Sequence, residues 1–439
     1  MYESWAHSPF PFRDSAPIAL PRGVRNRPND LPASAHLARP PTHARPLALR
    51  APNAAPRRFH DRLMLLRLTS SGLYSPPSAL HLDARDAPGT VFVSHAHSDH
   101  CSRAARILCT PETAALHDAR RGARDALTLR FGETAAVGDA AVTLTPAGHA
   151  LGSAMLVAES AEGRLAYTGD YKLRPNPFSP PVTIPRVDEL VMECTFGEPR
   201  YRFPPEPELI ERLFRFVDES LAEGATPVLL AYALGKGQEV LWHLTRRGYD
   251  VVLHGAIANL CDLHVRLGYD FPGPGAWGRY ERGKVGRRVL LTTPGTRKTA
   301  MVQGLERKRV CHLTGWALHP GAHNMYRDCD LVLPLSDHAD FDELVRTAVE
   351  SGARKVWTVH GPASFAGELR ARGVDAEHLA EHPQSAGSAE RAGEEDDGGA
   401  REGGAPARPS KPAAKARRRT AAAPAPGGAA DDRQIGLDL

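Results

Sequence analysis

Three histidines and an aspartate fall within six residues in Ser94-His95-Ala96-His97-Ser98-Asp99-His100, directly after the apolar run at 91–93. Side chains alternate along extended backbone, so His95 and His97 project to one side and can share a metal ion. Asp99 and His100, carried round the following turn, can aim at a second. Imidazole and carboxylate suit zinc. The six cysteines (101, 109, 194, 261, 311 and 329) form no Cys-x-x-Cys pair, which argues against a thiolate zinc site and against a disulfide framework.

The same arrangement recurs downstream. His149 follows a Gly after one apolar run, and Asp170 follows a Gly after another. Met192-Glu193-Cys194 puts an acid at the end of a third run. Leu335-Ser336-Asp337-His338-Ala339-Asp340 sets a His before a helix start, and Thr358-Val359-His360-Gly361 sets one after a strand. A single polar residue after a strand says little, but several in order form a site. The elements that must carry them are short apolar runs at 91–93, 141–145, 155–158, 165–168, 190–192, 228–231, 251–253, 289–292, 331–333 and 356–359, which read as strands. Thr110-Pro111-Glu112 opens a helix, with Thr as cap and Pro at the first helical position. Residues 206–221 place Leu209, Leu213, Phe216 and Val217 on one helical face. Asp340-Phe341-Asp342-Glu343 offers a capping box for a helix to 350. Strands alternating with helices make an α/β architecture, and strand ends in such folds are where sites collect.

Composition divides the 439 residues unevenly. Residues 1–60 are rich in Pro, Ala and Arg without an apolar period, and 383–439 hold Gly, Ala and Pro, an acidic run at 394–397 and basic residues across 411–419. Both are expected to be disordered, since neither can bury enough surface to offset its ordering entropy. The net charge of +4 comes from the ends: 1–60 carry nine Arg against Glu3, Asp14 and Asp30, which leaves the rest slightly acidic. Such a core does not by itself call for a polyanion, and the tails are at most a non-specific adhesive. No run of eighteen apolar residues crosses a membrane, and the N-terminus lacks the apolar stretch of a secretory signal. A cytoplasmic location is expected, and Met64 reads as a plausible start.

His-x-His-x-Asp-His with the later His149 and Asp170 resembles the metallo-β-lactamase superfamily. The resemblance implies that His95, His97 and His149 hold one metal, that Asp99 and His100 hold the other, and that Asp170 bridges them. Asp83 matches the superfamily's early Asp, which orients the His loop. Because that superfamily includes lactonases and thioesterases, the metal loop does not choose a substrate. The acid at Glu193 and the histidines His338 and His360 are similar to the motifs of its β-CASP nuclease branch. That branch implies an αββα sandwich with an inserted α/β cap: 61–200 as the first part of the metallo-β-lactamase domain, 201–330 as the cap, and 331–382 as the return segment. Gly72-Leu73-Tyr74, Ala233-Leu234-Gly235-Lys236 and Thr314-Gly315-Trp316 further resemble ligase-associated DNA exonucleases. After Asp83 and Trp316 the sequence departs from that pattern, with Ala84-Arg85 and Ala317-Leu318-His319-Pro320.

The expectation is a two-metal hydrolase of nucleic-acid phosphodiester bonds, a DNA exonuclease in repair that works with an ATP-dependent DNA ligase and a helicase. An RNA-processing nuclease and a small-molecule ester or lactone hydrolase are the alternatives. Two zinc ions, or manganese, would supply the nucleophile and relieve charge on the phosphoryl oxygens. Asp83, Asp99, Glu193 and His338 are the expected catalytic residues, with His338 as general acid kept protonated by Glu193. His360 completes the second metal's ligands, while Lys236 and Ser336 contact substrate. His254, inside the expected cap, is read as structural or substrate-facing, and His36, His43 and His378 as bystanders.

Overall fold

The computed structural model describes residues 65–379. The expectations for 1–60, for 383–439 and for Met64 lie outside them. The described part is a mixed α/β protein with three sheets. Six strands in chain order make the first: Arg67–Thr69, Gly72–Ser75, Leu80–Leu82, Thr90–Phe92, Arg106–Cys109 and Asp125–Thr128. Its first two pairings are antiparallel and the rest parallel. The second runs Ala376–His378, Lys355–Val359, Glu189–Glu193, Gly163–Tyr167, Ala154–Ser160, Ala140–Pro146, Thr134–Val137. Its first four strands are mutually parallel, and each later pairing is antiparallel.

The third sheet is parallel throughout, in the order Trp277–Arg279, Val251–Leu253, Val289–Thr292, Thr226–Leu230, Lys308–Leu313, Leu331–Leu333. It is built wholly from chain lying between the strands of the second sheet that precede it and the two that complete that sheet.

The pleat explains the packing. Along Ala154–Ser160, Ala154, Leu156 and Ala158 face a core shared with Leu80, Leu82, Phe92 and Leu108 of the first sheet. Met155 and Val157 face the other way, under Phe341, Leu344 and Phe365 of the helices Phe341–Glu350 and Ser364–Arg370. In the third sheet Leu229 packs with Leu209, Leu213 and Val217 of helix Glu206–Ala222, while Val228 and Leu230 face the opposite side. Strands buried on both faces must be apolar at every position, which is why they read as continuous runs.

The expected caps form. Thr110 Oγ1 accepts from the Thr113 amide at 3.1 Å, and Asp340 and Glu343 exchange reciprocal bonds at 2.9 and 3.2 Å. Among the described residues no helix is long and apolar enough to cross a membrane, and the cysteines are all free.

Candidate metal centre

Parallel neighbours end on the same edge of a sheet. Lys355–Val359, Glu189–Glu193 and Gly163–Tyr167 are adjacent and parallel, so His360, Glu193 and Asp170 emerge side by side. Ala140–Pro146 ends against the start of Ala154–Ser160, and this delivers His149 to the same edge. The His loop arrives from the first sheet and is tied across by Ser94 O, which accepts from the Ala154 amide at 2.9 Å. That junction needs Gly169. Its φ is +53°, and a Cβ there would lie 2.4 Å from the Ser94 Cβ.

His95 Nε2 and His149 Nε2 each lie 2.9 Å from His97 Nδ1. The partners on the far side of each ring fix the tautomers. His149 Nδ1 donates to the Asp337 carbonyl at 2.8 Å, and His97 Nε2 to the Leu234 carbonyl at 3.1 Å. Ser94 Oγ donates to Asp83 Oδ2 at 2.6 Å, which leaves its lone pairs to accept from His95 Nδ1 at 2.9 Å. With those protons placed, the three inward nitrogens all carry lone pairs. Three acceptors, two of them 2.9 Å from the third, have no hydrogen to share, so the arrangement is satisfied by a cation between them. Burial and the neighbouring imidazoles hold His95 well below the usual histidine range and bring His149 down to about 3. Both rings therefore stay in the neutral form that coordinates metal.

Asp170 Oδ2 faces this group, 3.6 Å from His95 Nε2 and 3.9 Å from His149 Nε2. It is also 3.2 Å from His100 Nε2. His100 Nδ1 donates to Asp83 Oδ2 at 2.7 Å, which turns Nε2 toward Asp170. His360 stacks on His100 with ring centroids 5.2 Å apart. Among the groups that could hold an ion, His338 stands within reach of Asp170 and Glu193 and of His149 and Asp337, while His95–His97–His149–Asp170 and His100–Asp170–His360 share Asp170. This donor set fits zinc. Burial opposes charge on His100, but Asp170, Asp99 and Asp83 outweigh it and favour positive charge at that point.

Asp83 sits at φ +46°, a conformation Asp tolerates better than most residues. Its carboxylate accepts from the Ser94 amide and hydroxyl, from His100 and from the Tyr167 hydroxyl at 2.9 Å. The His338 Nδ1 lies 3.0 Å from both oxygens of buried Glu193. Burial would lower His338, but Glu193, Asp170 and Asp337 overcome it and raise it to about 9.

Three expected site residues stand outside the two tight groups. Asp99 is at the rim with its side chain 38% exposed, and its Oδ2 lies 3.8 Å from His100 Nε2, a spacing that two ligands of one ion can have. Lys236 is not an open phosphate contact, because its ammonium is buried and paired with Asp337 Oδ1 at 3.0 Å. Ser336 is buried too, and its hydroxyl accepts from the His338 amide at 3.1 Å, which braces the loop that carries His338. His254 caps the helix Gly255–Arg266, as Nδ1 accepts from the Ala256 amide. Ser94, Tyr167, Asp337 and Arg174, whose guanidinium donates to the His338 carbonyl at 2.7 Å, escaped sequence reasoning. Asp337 alone carried a signal, its place beside His338.

No family model matches the chain. A probable DNA ligase of Opitutus terrae is 40% identical over 319 residues, 72% of this chain and 31% of that protein. The transcription termination factor FttA of Pyrococcus horikoshii is 28% identical over 189 residues, 34% of this chain and 29% of the factor. The endoribonuclease ysh1 of Emericella nidulans is 33% identical over 117 residues, 26% of this chain and 13% of the enzyme. The chain thus spans less than a third of the length of each of these relatives. The ordered His, Asp and Glu motifs and these likenesses agree with the resemblance to the β-CASP branch of the metallo-β-lactamase superfamily.

Proposed function

We propose that this protein is a two-metal phosphodiesterase acting on nucleic acid, and specifically a DNA exonuclease of repair that works beside an ATP-dependent ligase and a helicase. The observation that carries it is the pairing of two ligand groups through Asp170 with a separate imidazole, His338, held by Glu193 at the same edge. In this reading the first two sheets and their flanking helices form the αββα sandwich and the third sheet forms the cap, which runs on to Leu333 rather than ending at 330, because Leu331–Leu333 pairs with Lys308–Leu313. Zinc ions bound there would supply Lewis-acid charge and an acidified water.

The chain's own residues do the rest. Asp170 holds the two ligand groups at a common carboxylate. Asp83 fixes His100 directly and His95 through Ser94. His338, protonated near neutral pH, gives its proton to the departing 3′-oxygen, and Glu193 keeps that imidazole charged and aimed. A lactone or thioester would find the same metals but would have no specific use for such an acid.

A second reading, an RNA-processing nuclease, is favoured by the naming of one relative as an endoribonuclease. The site engages phosphate and leaving oxygen, whereas RNA is told from DNA through the 2′-hydroxyl. End-labelled single- and double-stranded DNA and RNA, offered to the zinc- or manganese-loaded protein, decide between them. Stepwise shortening of DNA supports the first reading, and cutting of RNA alone supports the second. Turnover of lactones or thioesters with no nucleic acid cut would remove both.

A further inference from the structure

Each of the three convergent imidazoles is held by a partner on its far side, but the partners differ in origin. His95 is held from within its own loop, through Ser94 and Asp83. His97 and His149 are held by main-chain carbonyls distant in sequence, those of Leu234 and Asp337. Leu234 follows the third-sheet strand Thr226–Leu230, and Asp337 lies in the turn before helix Phe341–Glu350. The direction of two of the three lone pairs therefore depends on how these two segments sit against each other.

Among the described residues an ion pair joins them. Lys236, two residues after Leu234, places its Nζ 3.0 Å from Asp337 Oδ1, and both side chains are 2% exposed. The other carboxylate oxygen, Oδ2, is buried without a hydrogen-bond partner among the described residues. The loop is built for close approach. Gly235, at φ +81°, would with a Cβ press to 3.3 Å from Asp337 Oδ2 and 3.4 Å from the His149 carbonyl. Gln238 braces it, accepting from the Gly235 amide and donating to the Ala233 carbonyl, both at 2.8 Å.

We infer that the buried Lys236–Asp337 pair is a latch that positions His97 and His149, so that the third-sheet segment helps set the metal affinity of the three-histidine group. Lys236 is then a positioning residue. It acts through two carbonyls and touches neither metal nor substrate. The inference rests on the metal-centre reading above. Removing the ammonium frees the Leu234 and Asp337 carbonyls to drift, and a lost orienting partner typically weakens a metal site about 10–100-fold.

The test measures zinc binding to the metal-free full chain by competition with a chromophoric chelator, alongside the visible spectrum of the cobalt-loaded protein, which reports ligand geometry. Lys236→Met should weaken at least one ion about 10–100-fold and alter the cobalt spectrum. A single substitution strands a buried carboxylate and can unfold the chain. Lys236→Met with Asp337→Asn removes both charges and should fold, as read by its thermal midpoint, while the affinity stays low. A folded double variant that binds both ions within about twofold of the parent, with an unchanged cobalt spectrum, overturns the latch and leaves the metal centre standing. A parent protein that binds no zinc overturns the metal-centre reading itself, and the latch with it.

Discussion

Replacing Asp83 by Asn separates the two ligand groups by chemistry rather than by shape. Asn tolerates the left-handed backbone at φ +46° as well as Asp does, so the loop keeps its course. The Ser94 amide can only donate, and at 2.7 Å it claims the amide oxygen of the new side chain. The new NH2 then replaces Oδ2, the atom that accepts from Ser94 Oγ, His100 Nδ1 and Tyr167 OH. Both hydroxyls can turn round and accept. Ser94 Oγ has two lone pairs, one of which stays with His95. His100 has no such freedom: facing a donor, its Nδ1 must accept, which moves its proton to Nε2, the atom pointed at Asp170.

One charged hydrogen bond is lost, about 1.5–3 kcal/mol of stability, and the ion at His100 should weaken about 10–100-fold. Elemental analysis after dialysis should find two ions per chain in the parent and close to one in Asp83→Asn, with a folded thermal transition in both. A variant that keeps two ions at parental affinity refutes the tautomer reasoning, and equal loss of both ions refutes the separation of the groups.

Asp170→Ala, which removes the one carboxylate shared by both groups, should lose both ions and nearly all activity; one tightly held ion would count against it. His338→Ala should keep its metals yet cut phosphodiesters about 10²–10⁴-fold more slowly, with far less effect on a nitrophenyl diester whose leaving group needs no proton. Metal loss, or equal damage to both substrates, would contradict that role. Gly169→Ala should displace Ser94, at a cost of about 1–3 kcal/mol for overpacking and about 1–2 kcal/mol for the backbone, read as a fall in thermal midpoint with weaker metal binding. Buried His264 is lowered to about 4, burial outweighing its bond to the Leu260 carbonyl. It takes up a proton more readily unfolded than folded, so its contribution is whole above about pH 6.5 and fades toward pH 4. In metal-free protein the parent should therefore lose more stability over that range than His264→Phe, and parallel profiles would contradict this.

The strands that carry the site were legible because burial on both faces leaves them uniformly apolar: 165–168 and 190–192 stand out from the residue types alone. Lys308–Leu313 did not, since it opens on two half-buried cations, and Asp125–Thr128, mostly exposed, has no apolar period to detect. The residues of the candidate centre were legible for a different reason. Each follows a strand, and strand ends are brought together by sheet order. What spacing does not encode is the partner behind each imidazole, because Leu234 and Asp337 act through main-chain carbonyls that carry no residue signature. Lys236 shows the converse. A lysine in a Gly-rich loop suggests phosphate until burial and the Asp337 carboxylate are seen together.

Titrating metal-free protein with zinc while following cleavage of an end-labelled DNA strand tests the two-metal nuclease most directly. The expected result is cleavage that rises as the second equivalent binds and vanishes with chelator. Cleavage that is complete with one equivalent, that persists without metal, or that never appears on any nucleic acid would contradict it.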